Sequence, residues 1–213
     1  MPRLTQKSTR SVLLISLTAS VLLAPLLLQI QGLTEWDAAL FLDINAHFSH
    51  SPADTILWAI TQLGSVEFLL ALDMALFIMG KRKWAAYLLA LLLCYSLVGY
   101  GMKFLVDRPR PYVTYPEIAH MTAVFHGSFP SGHALGISGL CALLYAKKSR
   151  FLAVAVLMAT LVLFTRVFLG MHYPLDVIVG AWIGTLIGLL VGSFTIQIED
   201  TMPLWYKGQP DDH

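Results

Sequence analysis

Six apolar runs, Val12–Ile30, Val66–Gly80, Trp84–Val106, His133–Ala146, Phe151–Leu169 and Leu175–Ile196, leave little between them except tight turns and two longer loops. A water-soluble domain has no means of hiding so much continuous apolar surface, whereas a bilayer core of about 30 Å accepts it at roughly twenty residues per helix. The runs therefore predict an all-α integral membrane protein with six transmembrane helices, formed as one domain over residues 1–213. Composition agrees, with 57% hydrophobic and 13% charged residues and a mean hydropathy of +0.69. Two runs are short for a span. Val66–Gly80 can be lengthened upstream through Thr55–Leu63 or tilted, and His133–Ala146 is expected to begin below the outer surface, inside a recess. The first run is nineteen residues long, longer than a usual signal core, and is read as a retained helix.

The charges sort by position. With the amino terminus cytoplasmic, Arg3, Lys7, Arg10, Lys81, Arg82, Lys83, Lys147, Lys148, Arg150 and Lys207 fall on the inner face, ten of fourteen cations. Lys103, Arg108, Arg110 and Arg166 fall on the opposite face, at the outer ends of the third and fifth spans. Cations kept on that side, at the ends of membrane helices, point to a bound anion. The segment Glu35–Asn45 reads as a short helix in the outer interface. Trp36, Leu40, Phe41 and Ile44 lie on its apolar side, and Glu35, Asp37 and Asp43 largely on the other. Cys94 and Cys141 lie within spans and read as buried free thiols. Asp73 sits midway along the second span, where a carboxylate must be protonated, paired or wet.

Three clusters reach the outer face. KFLVDRPRP at Lys103–Pro111 ends the third span in cations. In FPSGHA at Phe129–Ala134, Ser131 can cap the following helix, whose free amides, Gly132 among them, make an anion cradle beside His133. TRVFLGMHYPLD at Thr165–Asp176 brings Arg166 and places His172 and Asp176 four residues apart around Pro174. Each alone has an ordinary structural reading as a cap, a local hydrogen bond or a snorkelling arginine. Three cations, two histidines, a carboxylate and a helix terminus on one membrane face are read together as an anion site. Asp107 and Arg108 read as a local pair or turn contact. His120 and His126 fall in the long outer loop, the candidate for headgroup selection.

The pattern Lys-x6-Arg-Pro, Pro-Ser-Gly-His and Arg-x5-His-x3-Asp, ten positions in order, resembles the three-part signature of the type 2 phosphatidic acid phosphatase superfamily. Thr165 departs from the serine usual before the arginine but keeps a hydroxyl. The resemblance implies that Lys103, Arg110, Arg166, Ser131 and Gly132 bind phosphoryl oxygens. It further implies that His172 attacks phosphorus, that Asp176 orients it, and that His133 protonates the leaving oxygen. Phosphoryl transfer needs alignment and charge neutralisation, which three cations and a helix terminus supply without metal or cofactor. The expected activity is hydrolysis of a membrane lipid phosphate or diphosphate on the outer or periplasmic side, with a polyprenyl (undecaprenyl) diphosphate favoured. Phosphatidylglycerol phosphate, phosphatidic acid, a lipid A phosphate and lipid-to-lipid phosphotransfer remain open. A transporter or scaffold that only binds would need the cations but neither histidine. The expected partners are the bilayer and its lipid phosphate, with no nucleic acid; the sequence carries no signature of oligomeric state.

Overall fold

The computed structural model describes residues 6–46, 53–117 and 127–200. Among these, 81% are helical and none lies in a strand. Helix α1 (Gln6–Leu23) tightens into a 3-10 turn at Ala24–Gln29, where Pro25 withdraws a backbone donor. Helix α2 (Gln31–Ala46) follows. Helix α3 (Ala53–Thr61) leads through a 3-10 turn at Gln62–Gly64 into α4 (Val66–Ile78). Ser65 caps α4 by accepting from the Phe68 amide at 3.1 Å. A helix does precede α4 where the second run could be lengthened upstream, and the pair is bent by 56° at this break. Helix α5 (Arg82–Val106) stops where Asp107 turns left-handed with φ 40 and returns its amide to Lys103, so Asp107 terminates a helix. The short α6 (Pro111–Thr114), then α7 (Gly132–Ala146), α8 (Leu152–Phe168) and α9 (Pro174–Ser193) complete the described chain.

Among the described residues three helical segments can cross a membrane by length and composition, Gln6–Gln29, Arg82–Thr114 and Pro174–Ser193, and four if the bent pair counts as one span. Helices α7 and α8 are apolar but shorter, at 15 and 17 residues. The exterior is apolar: Leu97, Phe104 and Leu105 stand 78%, 88% and 79% exposed on α5, the inverse of a water-soluble surface. Cys94 also faces outward, in place of the buried thiol expected, while Cys141 is half-buried; both are free.

Helix α9 lies at the centre. Gly180, Gly184, Gly188 and Gly192 recur every fourth residue and form a seam against α7. A Cβ added at Gly184 would overlap the Leu135 carbonyl, and one at Gly188 the Gly139 carbonyl. Between helices in lipid, close backbone approach of this kind gains dispersion contact without help from a hydrophobic driving force. The seam holds the amino termini of α7 and α9 side by side, and the Ser131 amide donates to the Asp176 carbonyl at 3.0 Å. The opposite ends are tied separately. Tyr87 donates to the Phe194 carbonyl and accepts from Lys147, and Arg10 donates to the Ser193 carbonyl at 2.7 Å.

Helix α2 differs from its expected facing. Asp37 is fully buried, as are Phe41 and Asn45. Residues four apart share a helix face, so Asp37 belongs to the stripe of Phe41 rather than to that of Glu35. Phe41 packs edge-on against Tyr173 at 5.5 Å, and Asn45 donates to the Val167 carbonyl at 3.2 Å. These contacts seat α2 on the ends of α8 and α9.

Candidate active site

The three motif clusters converge on one cavity of about 770 Å³, lined by Lys103, Arg110, Gly132, His133, Arg166 and His172 together with apolar and aromatic residues of α4, α5 and α7. Each polar side chain is aimed by its element. Lys103 projects from the last turn of α5 and donates to the Gly127 carbonyl at 2.9 Å. Arg110, just before α6, directs Nη1 towards the Met171 carbonyl at 3.4 Å and His172 Nε2 at 3.5 Å. Arg166, in the last turn of α8, donates to Thr61 Oγ1 at 3.1 Å. Gly170, with φ 73, turns the chain back so that the His172 amide reaches the Arg166 carbonyl at 3.1 Å. Residue 170 needs the left-handed freedom of glycine, and the turn sets the second histidine beside the third cation.

Lys103, Arg110 and Arg166 outnumber the two carboxylates that also line the cavity, Glu67 and Asp107. Among the described residues none of Lys103, Arg110 and Arg166 is paired with a carboxylate. Arg110 Nε, Arg166 Nε and His133 Nε2 are buried without a hydrogen-bond partner. Buried donors left open are costly unless an acceptor meets them, and an oxyanion is an acceptor that could meet these. Gly132 opens onto this space, for a Cβ added there would meet nothing within 4 Å. The expectation that His133 begins its helix inside a recess is met.

Asp176 stands behind the cavity, fully buried, and its carboxylate is saturated. Oδ1 accepts from Arg108 at 2.6 Å, and Oδ2 accepts from the Tyr173 amide at 3.0 Å and from Ser128 Oγ. It does not bond His172 directly, since Nδ1 lies 3.6 Å from Oδ2. Burial first, and then the positive charges of Arg110, Lys103 and Arg166, hold the His172 imidazole well below its ordinary value of 6.5. A neutral imidazole, with Nε2 turned to Arg110, is the form able to attack.

Ser131 is fully buried and accepts from the Ala134 amide at 3.4 Å, as a cap does. Thr165 is likewise interior, donating to the Val162 carbonyl. Arg108, read from sequence as a local contact, instead spans two helices: it pairs with Asp176 and, at 2.7 Å, with Asp37, its guanidinium 3.9 Å above the Tyr173 ring. Asp37, Thr61 and Ser128 are the partners that sequence reasoning missed. For Asp37 a signal existed in its four-residue spacing from Phe41; Thr61 and Ser128 have none beyond their nearness to the break before α4 and to FPSGHA. His120 and His126 lie outside the described residues.

Comparison with known proteins bears on the family and the fold. The sequence profile of the PAP2 superfamily matches residues 83–198. The chain is 41% identical over 78 residues to an undecaprenyl-diphosphatase of Sulfolobus acidocaldarius, a match covering 36% of either chain. It is 26% identical over 149 residues to the undecaprenyl-diphosphatase BcrC of Bacillus subtilis, covering 68% of this chain and 77% of that one. The fold is similar to a transmembrane PAP2 type phosphatidylglycerolphosphate phosphatase from Bacillus subtilis, with a TM-score of 0.69 at 24% identity over 83% of this chain and 92% of the other.

Proposed function

Because the chain belongs to the PAP2 superfamily, we propose that it is a membrane lipid phosphatase whose cavity hydrolyses a lipid phosphate or diphosphate through a phosphohistidine. The observation that carries this reading is the convergence of Lys103, Arg110 and Arg166, none paired with a carboxylate among the described residues, on His133 and His172 in one cavity. The phosphoryl oxygens bind Lys103, Arg110 and Arg166, with the Gly132 amide at the start of α7. Ser131 supports that terminus as its cap. The lone pair of His172 Nε2 forms the bond to phosphorus as the bond to the leaving oxygen breaks. His133 gives that oxygen its proton. A water then attacks phosphorus from the same side, His133 takes the water's proton, and the N–P bond breaks to return the pair to Nε2. The net change is lipid diphosphate plus water to lipid monophosphate plus phosphate, or a monoester to its alcohol. Fixed positive groups neutralise the charge that spreads over the phosphoryl oxygens.

The favoured substrate is a polyprenyl diphosphate, which is what two relatives are named for and which suits a cavity walled by Tyr100 and Phe104 at the lipid-facing side of α5. Six spans are the preferred reading, taking the bent α3–α4 pair, α7 and α8 as crossings. In that reading both termini are cytoplasmic and the cavity opens on the periplasmic or extracellular side of the plasma membrane. The separation of the Lys103, Arg110 and Arg166 end from the Arg10 and Lys147 end supports it.

The test is phosphate release by the detergent-purified chain from undecaprenyl diphosphate, phosphatidylglycerol phosphate, phosphatidic acid and lipid A, with the His172→Ala variant alongside. Hydrolysis lost in the variant, together with a phosphoenzyme that forms only in the wild type, is expected. Retained hydrolysis in the variant would remove His172 as nucleophile.

A further inference from the structure

Asp176 is too far from His172 to orient it alone, and Ser128 fills the interval. The Ser128 hydroxyl lies 3.3 Å from His172 Nδ1 and donates to Asp176 Oδ2. A hydroxyl has one proton. Once it is given to the carboxylate, only lone pairs face the imidazole, so Nδ1 must be the nitrogen that carries hydrogen. Nε2 is then left with its lone pair in the cavity, 3.5 Å from Arg110.

Taking His172 as the nucleophile proposed above, we infer that Ser128 is its positioning residue, a hydroxyl relay that passes the orienting effect of Asp176 to Nδ1 and aims Nε2 at phosphorus. The relay is braced from behind. Arg108 joins Asp176 to Asp37 at 2.6 and 2.7 Å, and Asp37 also accepts from the Leu175 amide at 2.7 Å. Asp37 is on α2, outside the residues 83–198 that the family profile matches. The carboxylate behind the nucleophile is therefore held partly by an element that the matched core does not include. When Nε2 carries phosphorus, the ring bears positive charge with hydrogen still on Nδ1, and the relay stabilises that state through the same two bonds.

The experiment compares wild type, Ser128→Ala, Ser128→Thr and Asp37→Asn as full chains in detergent. It measures kcat and KM with undecaprenyl diphosphate, inhibition by inorganic phosphate, and the His172 tautomer by 15N spectroscopy of histidine-labelled protein, assigned against His172→Ala. Ser128→Ala is expected to lower kcat by about 10- to 100-fold, the range seen when the orienting partner of a ligating histidine is removed. KM and the phosphate inhibition constant should stay within about two-fold, since the loss falls on the transition state. The Nδ1–H form should dominate in wild type and give way to a mixture in Ser128→Ala, and Ser128→Thr should restore most of the rate. Asp37→Asn, which leaves the relay hydroxyl in place, should lower kcat less and keep the tautomer. An unchanged kcat in Ser128→Ala, equal losses in kcat and phosphate affinity, no rescue by threonine, or Nε2–H dominant in wild type would each overturn the relay. If Ser128→Ala does not fold, the wild-type tautomer and the threonine variant decide. A wild type silent on every lipid would refute the phosphatase reading, and the tautomer measurement would still decide whether Ser128 holds the ring.

Discussion

His172 is the nucleophile in the proposed reaction, and its environment sets its pH behaviour. Burial, then the neighbouring cations, disfavour the protonated ring, so the unfolded chain binds a proton near pH 6.5 that the folded chain refuses. Between those two values the unfolded state holds more protons, and stability rises with pH. The contribution of His172 is thus fully favourable above about pH 6.5 and is progressively lost as pH falls towards the folded-state value. In kinetics, the acid limb of kcat/KM should have its midpoint below 6.5; a pH–rate profile with that midpoint at or above the ordinary value would contradict a nucleophile kept neutral by its surroundings. Arg110 offers a second measurement. In the proposed reaction its removal deletes a charge-assisted donor to the phosphoryl group. Arg110→Ala should therefore raise KM and the phosphate inhibition constant by about 10- to 100-fold, the equivalent of one hydrogen bond to a charged group. At this scale the sequence named residues that the fold brings to one cavity but not whom they touch. The cations and histidines stand out because such groups are expensive at a membrane face, whereas the pairing of Arg108 with Asp37 across 71 residues has no local signature.

At the scale of elements, the α7–α9 seam decides whether the two histidines meet. A branched side chain at Gly184 would strike the Leu135 backbone, which cannot move as a flexible side chain can. Gly184→Val should cost about 2–3 kcal/mol or more and lower kcat by separating His133 from His172. Gly101→Ala on α5, where an added Cβ meets nothing within 4 Å, should be neutral or stabilise by up to about 1 kcal/mol through helix propensity. Thermal unfolding in detergent with parallel rate measurements distinguishes the two. The glycines at 180, 184, 188 and 192 were visible in the sequence as a four-residue spacing. Their partner helix was not, because the spacing specifies a face that accepts close approach without specifying what approaches it. The same limit applies to α2, where the apolar pattern marks a helix and only the Asp37, Phe41 and Asn45 contacts decide which stripe is inward.

At the scale of the molecule, the bundle has the cavity at one end and hydrogen-bonded ties at the other. A cysteine introduced at Thr114, exposed at the end of α6, should react with an impermeant thiol reagent from outside intact cells, whereas one at Ser149 should not; the reverse labelling would invert the topology. Phosphate release should also survive a chelator, because Lys103, Arg110 and Arg166 supply the charge neutralisation. Restoration of a chelated, inactive sample by a divalent cation would refute this. By itself the sequence determined that the chain is helical and membrane-like, where most of its long helices lie, and which ten positions make up the signature. Apolar runs and motif spacings are local properties, set by what each segment must do in lipid whatever its neighbours. Only the tertiary structure decided the 56° break before α4, the burial of Asp37, the Thr61 support of Arg166 and the Ser128 hydroxyl between Asp176 and His172. Those depend on which polar groups are desolvated together, and a buried group's partner is chosen by packing in three dimensions rather than by distance along the chain.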